Sequence, residues 1–210
     1  KIINAGTRQI YGPPIKLPVT EKHPIKPVDI NGISKYSAEM VYELYSKIYG
    51  IRSCVVRLTN TYGPGMRIRD AKQMFLGVWI RNVINSDPIA VFGNGCQIRD
   101  FSYVRDCAEA LLLTGTHKLQ HWIVFNVGSE AVHSLNEVAE MILQIEGVES
   151  KIEHIPFPKS VSAIDIGSYI ADFKKIENEL GWHPKTSLKE GLNLTLKYYK
   201  THFKEYMGKT

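Results

Sequence analysis

Asn31 and Lys35 stand four residues apart, a spacing that puts two side chains on one face of a helix. A lysine so placed lowers the pKa of an acidic neighbour and helps it exchange a proton with a bound hydroxyl. Asn31 can hydrogen-bond a hydroxyl but does not ionise. No tyrosine in the chain is followed by a lysine four residues on. Tyr36 adjoins Lys35, but about 100° round a helix, which makes it a poor substitute. Asn31 reads equally as a helix N-cap and as a working residue. Arg99 and Asp100, taken alone, are as consistent with a surface pair. His117 and His121 share helical spacing, yet Lys118, Leu119 and Gln120 supply no third ligand, so no metal is expected.

These residues need elements to hold them. Residues 1–6 read as a short strand, followed by a turn. Residues 12–30 contain five prolines, which implies an extended loop. The pattern turns helical over 31–49, with Ile33, Met40, Val41, Leu44 and Ile48 near one face and Gly50 as the stop. Residues 53–58 form an apolar run of strand length, as in a buried parallel strand. Further helices are expected at 70–86, 104–116, 172–180 and 188–206, and further strands at 90–92, 123–127 and 151–155. Ser134 and Glu137 form a capping box. Alternating strands and helices predict an α/β fold with a parallel sheet.

Composition narrows the class. The chain has 210 residues, 44% of them hydrophobic, enough to bury a sizeable core. No apolar run reaches membrane-spanning length. Lys1 to Ala5 reads as a strand rather than a signal peptide, and the chain reads as starting inside a domain. Three cysteines (Cys54, Cys96 and Cys107) argue against a disulfide framework and for a reducing cytoplasm, with Cys54 in the core. The formal charge is +5, but lysines and glutamates interleave near the C-terminus, so nucleic acid is not the expected partner. A modest positive bias suits a phosphorylated substrate.

Read together, several segments carry a resemblance. Thr7 precedes Ile10-Tyr11-Gly12 after a strand, and Gly32, Ser34 and Lys35 open the next helix. Arg57 to Pro64, the Gly93-x-Gly95-x-x-x-Arg99-Asp100-Phe101-x-Tyr103-Val104-x-Asp106 segment, Phe125 to Gly128, and Glu179 to Leu192 follow in order. This series resembles the extended short-chain dehydrogenase/reductases that modify nucleotide sugars. Their Tyr-x-x-x-Lys motif has Asn31 at its tyrosine position here. Ala163 to Ile166 lacks the arginine expected before Asp165, its nearest slot being Ser162.

The resemblance implies a partial Rossmann-like parallel sheet with a smaller C-terminal α/β substrate-binding domain. Residues 1–65, with a return strand near 123–127, would belong to the dinucleotide domain, and 66–122 with 128–210 mainly to the substrate domain. It implies NAD as cofactor, with NADP as the alternative, and a nucleoside-diphosphate sugar as substrate. Catalytic roles would fall to Thr7, Asn31 and Lys35. Cofactor contacts would come from Lys35, Tyr11 and Leu58, and substrate contacts from Asn60, Arg99 and Tyr62. Hydride would leave a sugar carbon, as in an epimerase or dehydratase; Arg8 and Gln9, in place of an acidic pair, favour the epimerase. A homodimer through helix 31–49 is implied. The rival reading is a catalytically silent homologue that binds nucleotide sugar or a partner protein.

Overall fold

A computed structural model describes residues 1–69, 75–118 and 121–208. The elements in chain order are β1 (Ile2–Thr7), α1 (Ile30–Tyr49), β2 (Ser53–Leu58), β3 (Asn60–Tyr62), α2 (Phe75–Ile84) and β4 (Ile89–Phe92). They continue with β5 (Ile98–Tyr103), α3 (Val104–Thr116), β6 (Trp122–Asn126), β7 (Val132–Ser134), α4 (Leu135–Glu146) and β8 (Ile152–Ile155). The short α5 (Lys159–Ser162), α6 (Lys174–Leu180) and α7 (Leu188–Met207) follow. The start of the helix expected from residue 70 lies outside the described residues.

The sheet that matters most for the site has order β1-β2-β6, all parallel. Its middle strand β2 is buried along nearly its whole length, as its continuous apolar run predicts. Cys54, Val56, Phe125 and Trp182 share its apolar cluster. A second sheet joins β3, β5 and β7, and β4 pairs with β8. The larger core lies beneath these, where Trp79, Ile80, Val138, Leu192 and Tyr199 pack together. The capping box at Ser134 and Glu137 forms as read from the sequence.

Helix α1 leaves its apolar face uncovered. Its apolar positions Ile33, Met40, Val41, Leu44, Tyr45 and Ile48 are exposed. Its buried residues are Gly32, Glu39 and Ser46, a seven-residue repeat that keeps one narrow stripe inward. The reason is Arg57 on β2, whose guanidinium is met by Glu39 through Nε–Oε1 at 3.2 Å and Nη2–Oε2 at 2.7 Å. A buried guanidinium requires a charged, hydrogen-bonded partner, and that requirement sets the helix rotation. Gly50 ends α1 in the left-handed conformation, φ 65°, as expected.

Candidate functional site

The carboxyl end of a parallel strand followed by a helix leaves a crevice, and here β1 and α1 form its walls. A cleft of about 600 Å³ is lined by Thr7, Arg8, Gln9, Asp29, Asn31, Lys35, Leu58 and Asn60, among others. Lys35 reaches back to donate from Nζ to the Ala5 carbonyl at 2.9 Å. One of its three ammonium protons is thereby used, and the other two remain for other acceptors.

A short 3₁₀ turn, Arg8–Tyr11, follows β1, with Thr7 as its N-cap. Gln9 from this turn links the site together. Its Nε2 donates to Asp29 Oδ2 at 2.7 Å, and its Oε1 accepts from Thr7 Oγ1 at 3.4 Å and from Asn31 Nδ2. Asn31 is therefore held by an amide–amide contact. It does not cap α1: Asp29 does, accepting from the Gly32 amide at 2.6 Å. A carboxylate fits that place because it also answers the positive end of the helix dipole. Gly32 is required by close approach, since a Cβ there would sit 2.6 Å from the Gln9 carbonyl oxygen.

A second pocket of about 220 Å³ shares Arg8, Gln9, Asp29 and Asn60 with the cleft and adds Arg99 and Asp165. Asn60 is the hinge between them: Oδ1 accepts from Arg8 Nη2 at 3.1 Å and Nδ2 donates to the Asp100 carbonyl at 2.8 Å. Arg99 is largely enclosed and donates to Asp165 Oδ1 at 3.2 Å and to the Gly167 carbonyl. Burial, and then the nearby charge of Arg8, lower the pKa of Arg99 to about 10. Asp100 is fully enclosed, and burial raises its carboxyl to about 6.

The structure thus brings Thr7, Asn31, Lys35, Leu58 and Asn60 to one cleft and Arg99 to its neighbour. It does not bring Tyr11 or Tyr62 there. Tyr11 is wholly buried, donating to Asn126 Oδ1 at 2.6 Å and accepting from Arg57 Nη1 at 2.7 Å. Burial raises its phenol to about 12. Tyr62 is buried against Phe101 and Tyr103, with its hydroxyl on the Leu188 carbonyl at 3.4 Å. Their rings fill core volume, so a motif position near a site need not face it. Arg8, Gln9, Asp29 and Asp165 were not singled out as site residues. Each carries a signal in the sequence: Arg8 and Gln9 stand where the resemblance has an acidic pair, Asp165 lies in the Ala163 to Ile166 segment, and Asp29 is an acidic residue just ahead of a helical run. Among the described residues no His, Cys, Asp and Glu cluster could hold a metal ion.

A parallel sheet with a cleft at its carboxyl ends and a lysine on the following helix defines a Rossmann-type short-chain dehydrogenase/reductase architecture, which solved epimerases and dehydratases share. The family model for GDP-mannose 4,6 dehydratase matches residues 1–195, and the chain belongs to that family. GDP-mannose 3,5-epimerase of Arabidopsis thaliana is 29% identical over 203 residues, covering 96% of this chain and 52% of that one. The crystal structure of UDP-glucose 4-epimerase with UDP-glucose from Thermotoga maritima superposes with a TM-score of 0.87 at 30% identity, covering 97% of this chain and 64% of that one. UDP-glucuronic acid 4-epimerase from Bacillus cereus, in complex with UDP-glucuronic acid and NAD, gives 0.84 at 26%, covering 95% and 61%. The chain therefore spans between about half and two thirds of the length of these relatives.

Proposed function

We propose that this chain carries the catalytic helix and the sugar-binding side of an NAD-dependent nucleoside-diphosphate-sugar epimerase. The observation that carries the reading is the convergence of Thr7, Asn31, Lys35 and Asn60 on one cleft, with Arg99 on the adjoining pocket. The donor set fits the nicotinamide end of the dinucleotide. Lys35 has two protons left for ribose hydroxyls, and Leu58 offers an apolar wall at the strand end. NADP is the alternative dinucleotide. When bound, the nicotinamide supplies a hydride acceptor. Residues 1–65 with the strand near 123–127 serve the dinucleotide, and residues 66–122 with 128–210 mainly serve the sugar nucleotide.

Within that reading each side chain has a task. Thr7 holds a sugar hydroxyl. Asn31 orients it through its amide, fixed by Gln9. Asn60 and Arg99 hold the diphosphate, the second as a fork of charged donors. Tyr11 and Tyr62 act from behind the cleft, Tyr11 by setting Arg57 and Tyr62 by packing. The exposed apolar face of α1 suits a second copy of the protein, because a monomer would leave it in water. Among the described residues no helix is long and apolar enough to cross a membrane, and a cytoplasmic setting fits three cysteines that are all free.

One observation favours a second reading. Asn31 occupies the position of the acid/base tyrosine and is tied to Gln9, as a binding-only homologue would allow. Stopped-flow measurement of NADH formation separates the two. The enzyme reading expects slow but measurable reduction of bound NAD on mixing the full protein with a UDP- or GDP-sugar. Replacing a general base costs roughly a hundredfold to ten-thousandfold, so Asn31→Tyr should raise that rate. No reduction in either protein, with the sugar nucleotide still bound, would establish the silent homologue. A fall in rate in Asn31→Tyr would show that the pocket is built around the asparagine amide.

A further inference from the structure

We infer that Asp29 is the proton acceptor for the reacting sugar hydroxyl, a role for which Asn31 has no ionisable group. The inference rests on the nucleotide-sugar reading above and adds a catalytic residue to it.

Among the described residues that line the cleft, Asp29 carries the one carboxylate. Its companions there are poor bases. Arg8 and Lys35 are cations that donate and do not accept, while Thr7, Gln9, Asn31 and Asn60 offer hydroxyls and amides, whose oxygens take hydrogen bonds but do not ionise. The nearest other carboxylates are committed elsewhere. Glu39, on α1, is buried against Arg57. Asp165 lines the smaller pocket and pairs with Arg99 at 3.2 Å.

Asp29 is also held beside the groups that handle the hydroxyl. Gln9 Nε2 donates to its Oδ2 at 2.7 Å, and Oε1 of the same amide accepts from Thr7 Oγ1 at 3.4 Å and from Asn31 Nδ2. One amide group therefore separates the carboxylate from both residues. The side chain is half-buried, so a ligand in the cleft can reach it. Its Oδ1 accepts from the Gly32 amide at 2.6 Å and its Oδ2 from Gln9, which leaves about two of the four acceptor positions of a carboxylate open. Aspartate takes the proton of a substrate hydroxyl in the same way at kinase catalytic loops. Here the hydroxyl proton moves to Asp29 Oδ2 while the carbinol carbon gives its hydride to the bound nicotinamide dinucleotide. The alcohol becomes a ketone, the carboxylate a carboxylic acid, and the dinucleotide is reduced. The reverse transfers restore the alcohol and the carboxylate.

Stopped-flow NADH formation and calorimetric binding, both on the full protein saturated with NAD and mixed with UDP-glucose or GDP-mannose, test this. Asp29→Asn keeps an oxygen for the Gly32 amide and removes the ionisable group. The rate of NADH formation should fall roughly a hundredfold to ten-thousandfold, with the affinity for the sugar nucleotide kept within about threefold. Asp29→Ser, which caps through its hydroxyl, should show the same split and decides the case if the asparagine variant does not fold. Infrared difference spectra of the reduced complex should carry the carbonyl band of a newly protonated carboxyl, and Asp29→Asn should lack it. A rate within about threefold of the original in Asp29→Asn, or no such band in the unaltered protein, would overturn the inference and leave the nucleotide-sugar reading intact. Equal falls in rate and affinity would assign Asp29 to binding instead. No reduction in the unaltered protein, with the sugar nucleotide bound, would sink this inference together with the enzyme reading.

Discussion

Two arginines near the strand ends of this molecule have opposite fates, one buried and one half-buried. Arg57, on β2, is saturated: Glu39 takes Nε and Nη2, and the Tyr11 hydroxyl takes Nη1. Arg8, at the cleft, has one hydrogen bond and one ring face and keeps an unpartnered Nη1. Both lie in α/β surroundings within a few residues of the same strand ends. The first is scaffold, because its charge is fully answered from within and it fixes how α1 lies on the sheet. The second, with Arg99 and Asp100, forms a polar region held together only in part. Burial and hydrogen-bond satisfaction run together here: the more deeply buried charge is the one answered from within.

Breaking the scaffold pair should have the largest effect. Glu39→Ala leaves the Arg57 guanidinium buried with only the tyrosine hydroxyl, and a loss of about 3–5 kcal/mol in urea unfolding is expected. A loss under about 1 kcal/mol would erase the distinction drawn between the two arginines.

Asp100 sharpens the comparison through pH. Its carboxyl is raised from 3.8 to about 6 in the folded protein, so the native state holds this proton more tightly than the unfolded chain. The folded protein therefore loses stability as pH rises through that interval, by about 3 kcal/mol in full. Asp100→Asn removes the titration. Its unfolding free energy relative to the original protein should improve steadily between roughly pH 4 and 6. A pH-independent difference would place the Asp100 carboxyl near its ordinary value.

Arg99→Ala addresses the neighbouring pocket. The loss of a charge-assisted contact to diphosphate is worth roughly 1.5–3 kcal/mol. It should raise KM for a sugar nucleotide with little change in kcat, since the contact serves ground and transition states alike. Unchanged KM with lowered kcat would refute that role.

The smallest effect concerns the helix start. Asp29→Ala should cost about 1 kcal/mol, and Asp29→Ser should recover most of it, because a hydroxyl caps as well. Equal losses in both would mean that the bond to Gln9, and not the cap, is what Asp29 contributes.

Much of the architecture could be read from local pattern. The strands at 53–58 and 123–127, the helix from 104 to 116, the capping box at Ser134 and the stop at Gly50 all depend on neighbours in the chain, and each lies within a residue or two of its expected place. The ordered motifs likewise picked out Thr7, Lys35 and Asn60, which meet at the cleft. Contacts between segments far apart in sequence were not legible in the same way. The stripe of α1 that turns inward is Gly32, Glu39 and Ser46 because Glu39 answers a charge on another strand. Tyr11 and Tyr62 face the core because sheet and helix close over them. Gln9 links Thr7, Asp29 and Asn31 only because a 3₁₀ turn lies against the start of α1.

The sequence by itself determined which segments become strands and helices and which chemistry the strand ends can offer, since propensity, capping and periodicity act over a few residues. Only the tertiary structure decided which arginine is answered and which is left open, because a buried charge takes its partner from whatever the fold brings within 3 Å or so of it, and no local pattern records that distance.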